Sequence, residues 1–363
     1  MKILYDHQIF SLQKYGGISR YFANLIKGIN NNGKGYGYIT SLFSTNEYIK
    51  KESLALNNPV GQKLFLNKPK RMYNWNRRFS RWNLRLRNFD VFHPTYFDPY
   101  FIKYLRKPCV ITVHDMVHEL YPENFADAEE VIVRKKSVME RANLLIAISE
   151  FTRKDIIKVY PHMKSKIRVV HHGYMGLTDR ADANDTLPDK YILFVGERWH
   201  YKNFPLFLEG IHTLLQADPE LNLICAGGKA FTTDEIALFE NFGITKQCLQ
   251  MNVTDATLQQ LYSQASLFVF PSLHEGFGLP LLEAFANQCP VICSDSSCLP
   301  EIAGNAALYF DPAKPDHILQ MATRVLQDEE LREELKKKGL KRLELFTFDA
   351  CVQNTLQVYE SLY

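Results

Sequence analysis

No apolar run in the 363 residues approaches the roughly 18 needed to cross a bilayer as a helix, so a soluble or membrane-peripheral protein is expected. The N-terminal stretch MKILYDHQIF has one lysine and lacks the long apolar core and small-residue cleavage site of a secretory signal, so export is not expected. Cysteine is sparse and shows no pairing pattern. The seven residues Cys109, Cys225, Cys248, Cys289, Cys293, Cys298 and Cys351 are odd in number, and none forms a Cys-x-x-Cys pair. They read as reduced and buried; the Cys289, Cys293 and Cys298 group surrounds an apolar segment without histidine at ligand spacing, so no metal site is expected. Also missing is a G-x-G-x-x-G after a first strand, which removes the dinucleotide fingerprint of a dehydrogenase. From Ser53 to Phe89 there is no Asp or Glu at all.

What is present is ordinary in bulk and uneven in distribution. With 46% hydrophobic and 23% charged residues the chain reads as globular, and its length suits two cores of roughly 150 to 200 residues. A net charge of +3 conceals a division: residues 1–180 hold 30 Lys and Arg against 15 Asp and Glu, and the remainder 13 against 25. The first half is therefore a cation suited to an anionic partner, whether membrane lipid, phosphorylated saccharide or nucleic acid.

Short β-branched or aromatic runs alternate with helical patterns throughout, as in parallel sheets wound with crossover helices. Strands are expected at Lys2 to Tyr5, Gly37 to Phe43, Val91 to His93, Val110 to His114, Leu144 to Ile148 and Ile167 to Val170. The pattern restarts at Tyr191 to Glu197, Leu221 to Gly227, Leu249 to Met251, Leu267 to Ser272 and Pro290 to Ser294. Between the halves, Gly176 to Lys190 is polar and aperiodic and reads as a linker. The expected domains are 1–178 and 179–347, two Rossmann-like α/β units facing each other across a cleft. The last segment, about 348–363, is expected as a helix packing back on the first through Val352, Leu356, Tyr359 and Tyr363.

The segment PSLHEGFGLPLLEAFANQCPVICS, Pro271 to Ser294, carries the most chemistry. A strand ends at Ser272, a glycine-containing loop follows, and Pro280 stands in the first turn of a helix, where proline is tolerated. Such a helix aims its first N–H groups into the loop at the carboxyl edge of the sheet, which makes a seat for phosphate. Gly276 and Gly278 allow close approach of a ligand, and Glu275 and Glu283 bracket it from loop and helix. Two carboxylates fit beside an anion if they accept hydrogen bonds from neutral hydroxyls, which a sugar supplies. A second constellation, FVGERWHYKNF, places Arg198 and Lys202 after a strand ending at Gly196. No Asp-x-Asp triplet occurs to hold Mg²⁺, so a departing diphosphate would need cationic side chains and helix ends.

HEGFGLPLLE resembles the E-x7-E signature of retaining glycosyltransferases of the group 1, family 4 type, and PVICSDSSCLPEIAGNAALYFDP continues that pattern. The likeness is closest to mannosyl- and glucosyltransferases of the GT-B fold. It implies that Glu275 contacts the donor sugar and Glu283 the ribose, while the backbone at Gly276, Phe277, Gly278 and Leu279 approaches sugar and diphosphate. Arg198 and Lys202 match the pair that grips the diphosphate, and Val253 lies in the loop that meets the base. In the first half, Gly16 and Gly17 match a loop facing the donor, and His114 lines the catalytic site with Glu275. Asp115 reads as the cap of the next turn; His93, His118, His171 and His172 are weaker candidates.

From Lys63 to Arg87, basic residues are interleaved with Tyr73, Trp75, Phe79 and Trp82. This suits an anionic membrane interface or a phosphorylated acceptor. A solvated basic helix is the plainer alternative, and no nucleic-acid module accompanies the segment, so no nucleic acid is expected. The resulting expectation is a retaining, metal-independent hexosyltransferase, mannose favoured, using a nucleotide-diphosphate sugar (GDP-mannose or a UDP-sugar) as co-substrate and no further cofactor. Its acceptor would be a saccharide or lipid-linked saccharide of surface polysaccharide or lipopolysaccharide, and its location the cytoplasm or the inner face of the cytoplasmic membrane. A sugar phosphorylase, a nucleotide-sugar epimerase or a non-catalytic saccharide-binding relative remain the alternatives.

Overall fold

Strands Val110–Val113, Leu144–Ala147, Leu267–Phe270 and Val291–Ser294 are buried at every residue, as sheets covered on both faces require. All strand pairs among the described residues are parallel. The computed structural model describes residues 1–52, 54, 65, 67–176 and 186–363. The chain forms two units: Met1–Ile148, Thr152–His171 and Phe348–Tyr363 make unit 1, and Ser149–Phe151 with His172–Thr347 make unit 2. The boundary expected between 178 and 179, with most of the expected linker, lies outside the described residues.

In unit 1, β1 (Lys2–Asp6), β2 (Tyr36–Thr40) and β3 (Val91–His93) pair in the order β2-β1-β3. Strands β4 (Val110–Val113), β5 (Leu144–Ala147) and β6 (Ile167–Val169) follow in the order β4-β5-β6. A parallel bridge between Phe92 and Cys109, with the Phe92 N–H donating to the Pro108 carbonyl at 2.9 Å, joins β3 to β4. Helix Gly17–Asn32 packs Tyr21, Phe22, Leu25, Ile26 and Ile29 into the core.

Helix Phe348–Glu360 belongs to this unit and buries Val352, Leu356 and Tyr359. Its approach is close: a Cβ on Gly28 would lie 2.6 Å from Val352 Cγ2. The Tyr359 hydroxyl stands 2.8 Å from that of Tyr5 and 2.6 Å from His93 Nδ1, and His93 Nε2 is 3.0 Å from Thr112 Oγ1. His93 thus has both ring nitrogens engaged inside the core. Tyr363, expected on the buried face, is 77% exposed, because the helix ends before it; its hydroxyl reaches the Asp90 carbonyl.

Among the described residues of unit 1, one lysine is buried. Lys135, on helix Ala128–Arg141, is 1% exposed; its Nζ is 2.9 Å from Glu119 Oε2 and donates to the Asp115 carbonyl at 2.6 Å. A charge so placed requires a partner, and Glu119 supplies it.

In unit 2, β7 (Lys190–Val195), β8 (Leu221–Ala226), β9 (Cys248–Met251), β10 (Leu267–Phe270), β11 (Val291–Ser294) and β12 (Leu308–Phe310) pair in the order β12-β11-β10-β7-β8-β9. The chain steps outward from β7 to β9, then returns to the other side of β7 at β10. That reversal puts the topological switch point at the carboxyl ends of β7 and β10, where open α/β sheets bind ligands. All seven cysteines are free and buried.

Candidate functional site

Two turns leave the sheet of unit 2 at this switch point. The first follows β7 through Gly196 (φ 117°), the short 3₁₀ helix His200–Lys202 and Asn203, into helix Phe204–Ala217. The second follows β10 and enters helix Leu279–Ala286, with Pro280 in its first turn. The Leu273 N–H donates to the Tyr201 carbonyl at 2.7 Å, tying one turn to the other. Gly278 caps the helix at φ 88°, and a Cβ there would meet Leu299 Cδ2 at 3.0 Å, so both conformation and space demand glycine.

Lys202 and Glu275 meet across these turns. Nζ is 2.6 Å from Oε1, with side-chain exposures of 17% and 15%, and it also sits 5.7 Å from the centroid of the Phe270 ring. The Glu275 N–H donates to Ser297 Oγ at 3.2 Å. Gly276 is half-buried; Phe277 is buried edge-on to His172 (5.3 Å) and Phe346 (5.7 Å), so its ring anchors the loop while its backbone stays on it. One turn into the helix, Glu283 Oε2 accepts from the Tyr262 hydroxyl at 3.2 Å, and burial together with that carboxylate pushes the Tyr262 pKa well up. Val253 lies half-buried beyond β9, next to Thr254, which caps helix Asp255–Gln264. A primary ammonium, an amide-rich helix start and two carboxylates at its edges suit an anion joined to a polyhydroxyl group.

Arg198 is placed differently from Lys202. Its guanidinium is held by Glu235, with Nε 2.8 Å from Oε1, and by the Lys229 carbonyl at 2.6 Å from Nη2, leaving the side chain 5% exposed. The two cations thus have different partners within the unit: Glu235 and the turn after β8 hold the Arg198 fork, and Glu275 holds the Lys202 ammonium. Glu235, Tyr262, Ser297 and the Gly227–Gly228 turn were not singled out from sequence; only the T-x-x-E capping box of Thr232 and Glu235 was readable there.

In unit 1, His114 follows β4 directly and lies edge-on to Tyr21 (5.5 Å) and Phe22 (6.1 Å). Asp115 accepts the Val117 N–H at 3.2 Å, capping the next turn. Gly17 begins helix Gly17–Asn32, and a Cβ on it would touch nothing within 4 Å, whereas one on Gly16 would strike the Gln13 side chain. His118 stacks on Phe125 at 4.2 Å.

Burial pushes His7, His93 and His114 down to about 3 from the usual 6.5. All three are neutral near pH 7. Between about 6.5 and about 3 the unfolded chain binds these protons and the folded chain does not. Their contribution to stability is therefore complete above the upper limit and is lost as pH falls through the window. Urea midpoints should drop from about pH 7.5 to about pH 5 at unchanged slope. Equal midpoints at the two values would contradict this.

Residues 178–342 match the family described as "Glycosyl transferases group 1", and residues 15–174 match "Glycosyltransferase Family 4". O-antigen chain mannosyltransferase B of Escherichia coli is 28% identical over 309 residues, covering 78% of each chain. O-antigen chain mannosyltransferase RfbU of Salmonella typhimurium is 30% identical over 207 residues, 56% of each. Serotype-specific mannosyltransferase WbdA of Escherichia coli is 26% identical over 66% of this chain, which spans only 32% of WbdA. Among solved structures, sucrose-phosphate synthase from Thermosynechococcus elongatus has a TM-score of 0.72 at 18% identity, over 100% of this chain and 99% of that one. HepE of Anabaena, solved with UDP and glucose, has a TM-score of 0.72 at 14% identity, over 100% and 99%. These two adjoining family matches, laid on a pair of Rossmann-like α/β units of the GT-B fold, make the chain a glycosyltransferase of the group 1, family 4 kind.

Proposed function

We propose that the chain moves a mannosyl group from a nucleotide-diphosphate sugar, GDP-mannose in preference to a UDP-sugar, to a saccharide or lipid-linked saccharide acceptor. The product belongs to surface polysaccharide or lipopolysaccharide, the transfer retains anomeric configuration, and neither a divalent metal nor a further cofactor takes part. The observation that carries this reading is the Lys202–Glu275 contact at the start of helix Leu279–Ala286, which sets a cation and a hydroxyl acceptor beside an amide-rich turn. The names of the curated relatives, O-antigen mannosyltransferases, support the sugar and the pathway class.

In this reading Arg198, Lys202 and the Phe277, Gly278 and Leu279 backbone receive the diphosphate. Glu275 accepts from sugar hydroxyls, Glu283 from the ribose, and Val253 lies toward the base. Unit 1 handles the acceptor, with His114 as a neutral hydrogen-bonding imidazole and Gly16 and Gly17 in its ligand loop. The bond from C1 to the phosphate oxygen breaks as the acceptor oxygen bonds to C1 from the same face, and the departing diphosphate takes the acceptor's proton. Incubation with GDP-mannose should release GDP only when a lipid-linked saccharide acceptor is added. It should proceed in EDTA, and the new linkage should keep the donor's α configuration by NMR. Turnover abolished by the chelator, a β linkage, or release of mannose 1-phosphate in place of GDP would each overturn the proposal.

The same reading seats unit 1 on an anionic membrane at the inner face of the cytoplasmic membrane. No helix of the described residues is long and apolar enough to cross a membrane. Helix Pro69–Leu86 instead exposes Trp75 (43%), Trp82 (55%) and Leu86 (54%), with Arg71, Arg78 and Arg85 along the exposed face. Arg78 lies over the Trp75 ring at 5.8 Å, and Phe79 stacks on Trp82. Lys63 is outside the described residues. Replacing both tryptophans by serine should weaken sedimentation with phosphatidylglycerol vesicles about tenfold or more, and salt should weaken it further. Equal sedimentation with neutral phosphatidylcholine would rule out the charge-based seat.

A further inference from the structure

We propose that Lys135 serves the reaction as a positioning residue, its ammonium fixing the peptide that follows His114 and, through it, the imidazole. The inference rests on the reading that His114 lines the site where sugar is transferred, and every residue that carries it belongs to unit 1. His114 stands one residue past Val113, where the pairing of β4 with β5 ends. Its ring is braced from helix Gly17–Asn32, with Tyr21 edge-on at 5.5 Å and Phe22 at 6.1 Å. Edge contacts of this kind set the tilt of a ring; how far the ring reaches is set by its own backbone.

Lys135 takes hold of that backbone. Nζ donates to the Asp115 carbonyl at 2.6 Å and to Glu119 Oε2 at 2.9 Å, and it stands 5.5 Å from the centroid of the Phe97 ring. Glu119 belongs to helix Val117–Leu120, so one ammonium ties both the Asp115 peptide and the turn of helix after it to helix Ala128–Arg141. Stability alone gives no reason for a lysine here. Both side chains of the pair are 2% exposed and have lost their hydration, and apolar residues of similar size would serve a core as well or better. What apolar residues cannot do is donate a hydrogen bond to the Asp115 carbonyl or keep a positive charge near His114. Burial first, then His93 and Lys135, hold that imidazole down to about 3, so it meets its ligand uncharged. A neutral imidazole acts through a directional hydrogen bond, and a misplacement of about 1 Å costs such a group on the order of 10²-fold in rate.

The test uses the full chain with Lys135→Met and Glu119→Leu together, which removes the grip and leaves no buried charge, alongside His114→Ala. The pair variant, shown to be folded by urea unfolding, is expected to lower kcat about 10- to 100-fold while its affinity for GDP by calorimetry is unchanged. Combined with His114→Ala it should lower kcat by no more than about twofold further, because the group it positions is already gone. Without ligand, the ring resonances of His114 should shift or broaden in the pair variant, while those of His93, held by Tyr359 and Thr112, stay in place. A kcat within about threefold of the unaltered enzyme, or the full loss repeated on top of His114→Ala, would overturn the proposal. Should the unaltered protein transfer no sugar, or His114→Ala leave kcat unchanged, the placing of His114 in the site falls. The resonances then decide by themselves, and a His114 signal that does not move in the pair variant refutes the role of Lys135.

Discussion

Lys202→Ala is expected to lower kcat/KM for the donor by about 10²- to 10³-fold, equivalent to roughly 2.7–4 kcal/mol of lost transition-state stabilisation. Charge on the leaving diphosphate grows as the bond to C1 breaks, and a cation fixed beforehand favours that change most. Here Nζ is fixed by Glu275 at 2.6 Å and lies against the Phe270 ring. Removing it does more than delete a positive charge, because Glu275 remains as an unopposed carboxylate next to an anionic ligand. The double variant Lys202→Ala with Glu275→Gln should therefore lose less than the two single losses combined. Steady-state kinetics over a range of donor concentrations separates the outcomes. A value within about threefold of the unaltered enzyme would remove Lys202 from the diphosphate.

For stability, the largest effect is expected at Lys135. Lys135→Ala should cost about 3–5 kcal/mol, since it leaves a buried carboxylate without its partner. Both side chains of the Lys135–Glu119 pair are 2% exposed, and the ammonium also holds the Asp115 carbonyl just after β4. Replacing the pair together, Lys135→Met with Glu119→Leu, should recover most of that loss because no buried charge remains. Urea unfolding of the two variants distinguishes these cases. A cost below about 1 kcal/mol for Lys135→Ala would mean that water reaches Glu119.

The strands were readable because strands buried on both faces are written as unbroken apolar runs: LFVF and VICS can hardly be anything else at that length. Strand β12 (Leu308–Phe310) escaped notice because the alanines before it suit helix as well, and only Phe310 of its three residues is buried. Helix Leu279–Ala286 was legible from Pro280 and the glycines before it, since those residues mark a helix start by their own conformational limits. The partners of the two cations were not. Arg198 and Glu235 are 37 residues apart, and Lys202 and Glu275 are 73 apart. Such pairings depend on which strands lie side by side, and spacing along the chain does not encode that. His93, a weaker candidate from sequence, shows the same limit: Tyr359, from near the opposite end of the sequence, claims its Nδ1.

That last contact joins residues 266 positions apart in one core. Unit 1 precedes most of unit 2 in the sequence, yet its core is complete only when helix Phe348–Glu360 places Val352, Leu356 and Tyr359 against β1 and helix Gly17–Asn32. Unit 2, drawn almost wholly from a continuous stretch, has everything it needs sooner. The apolar face that helix Phe348–Glu360 covers in unit 1 is therefore open until that last segment has been synthesised.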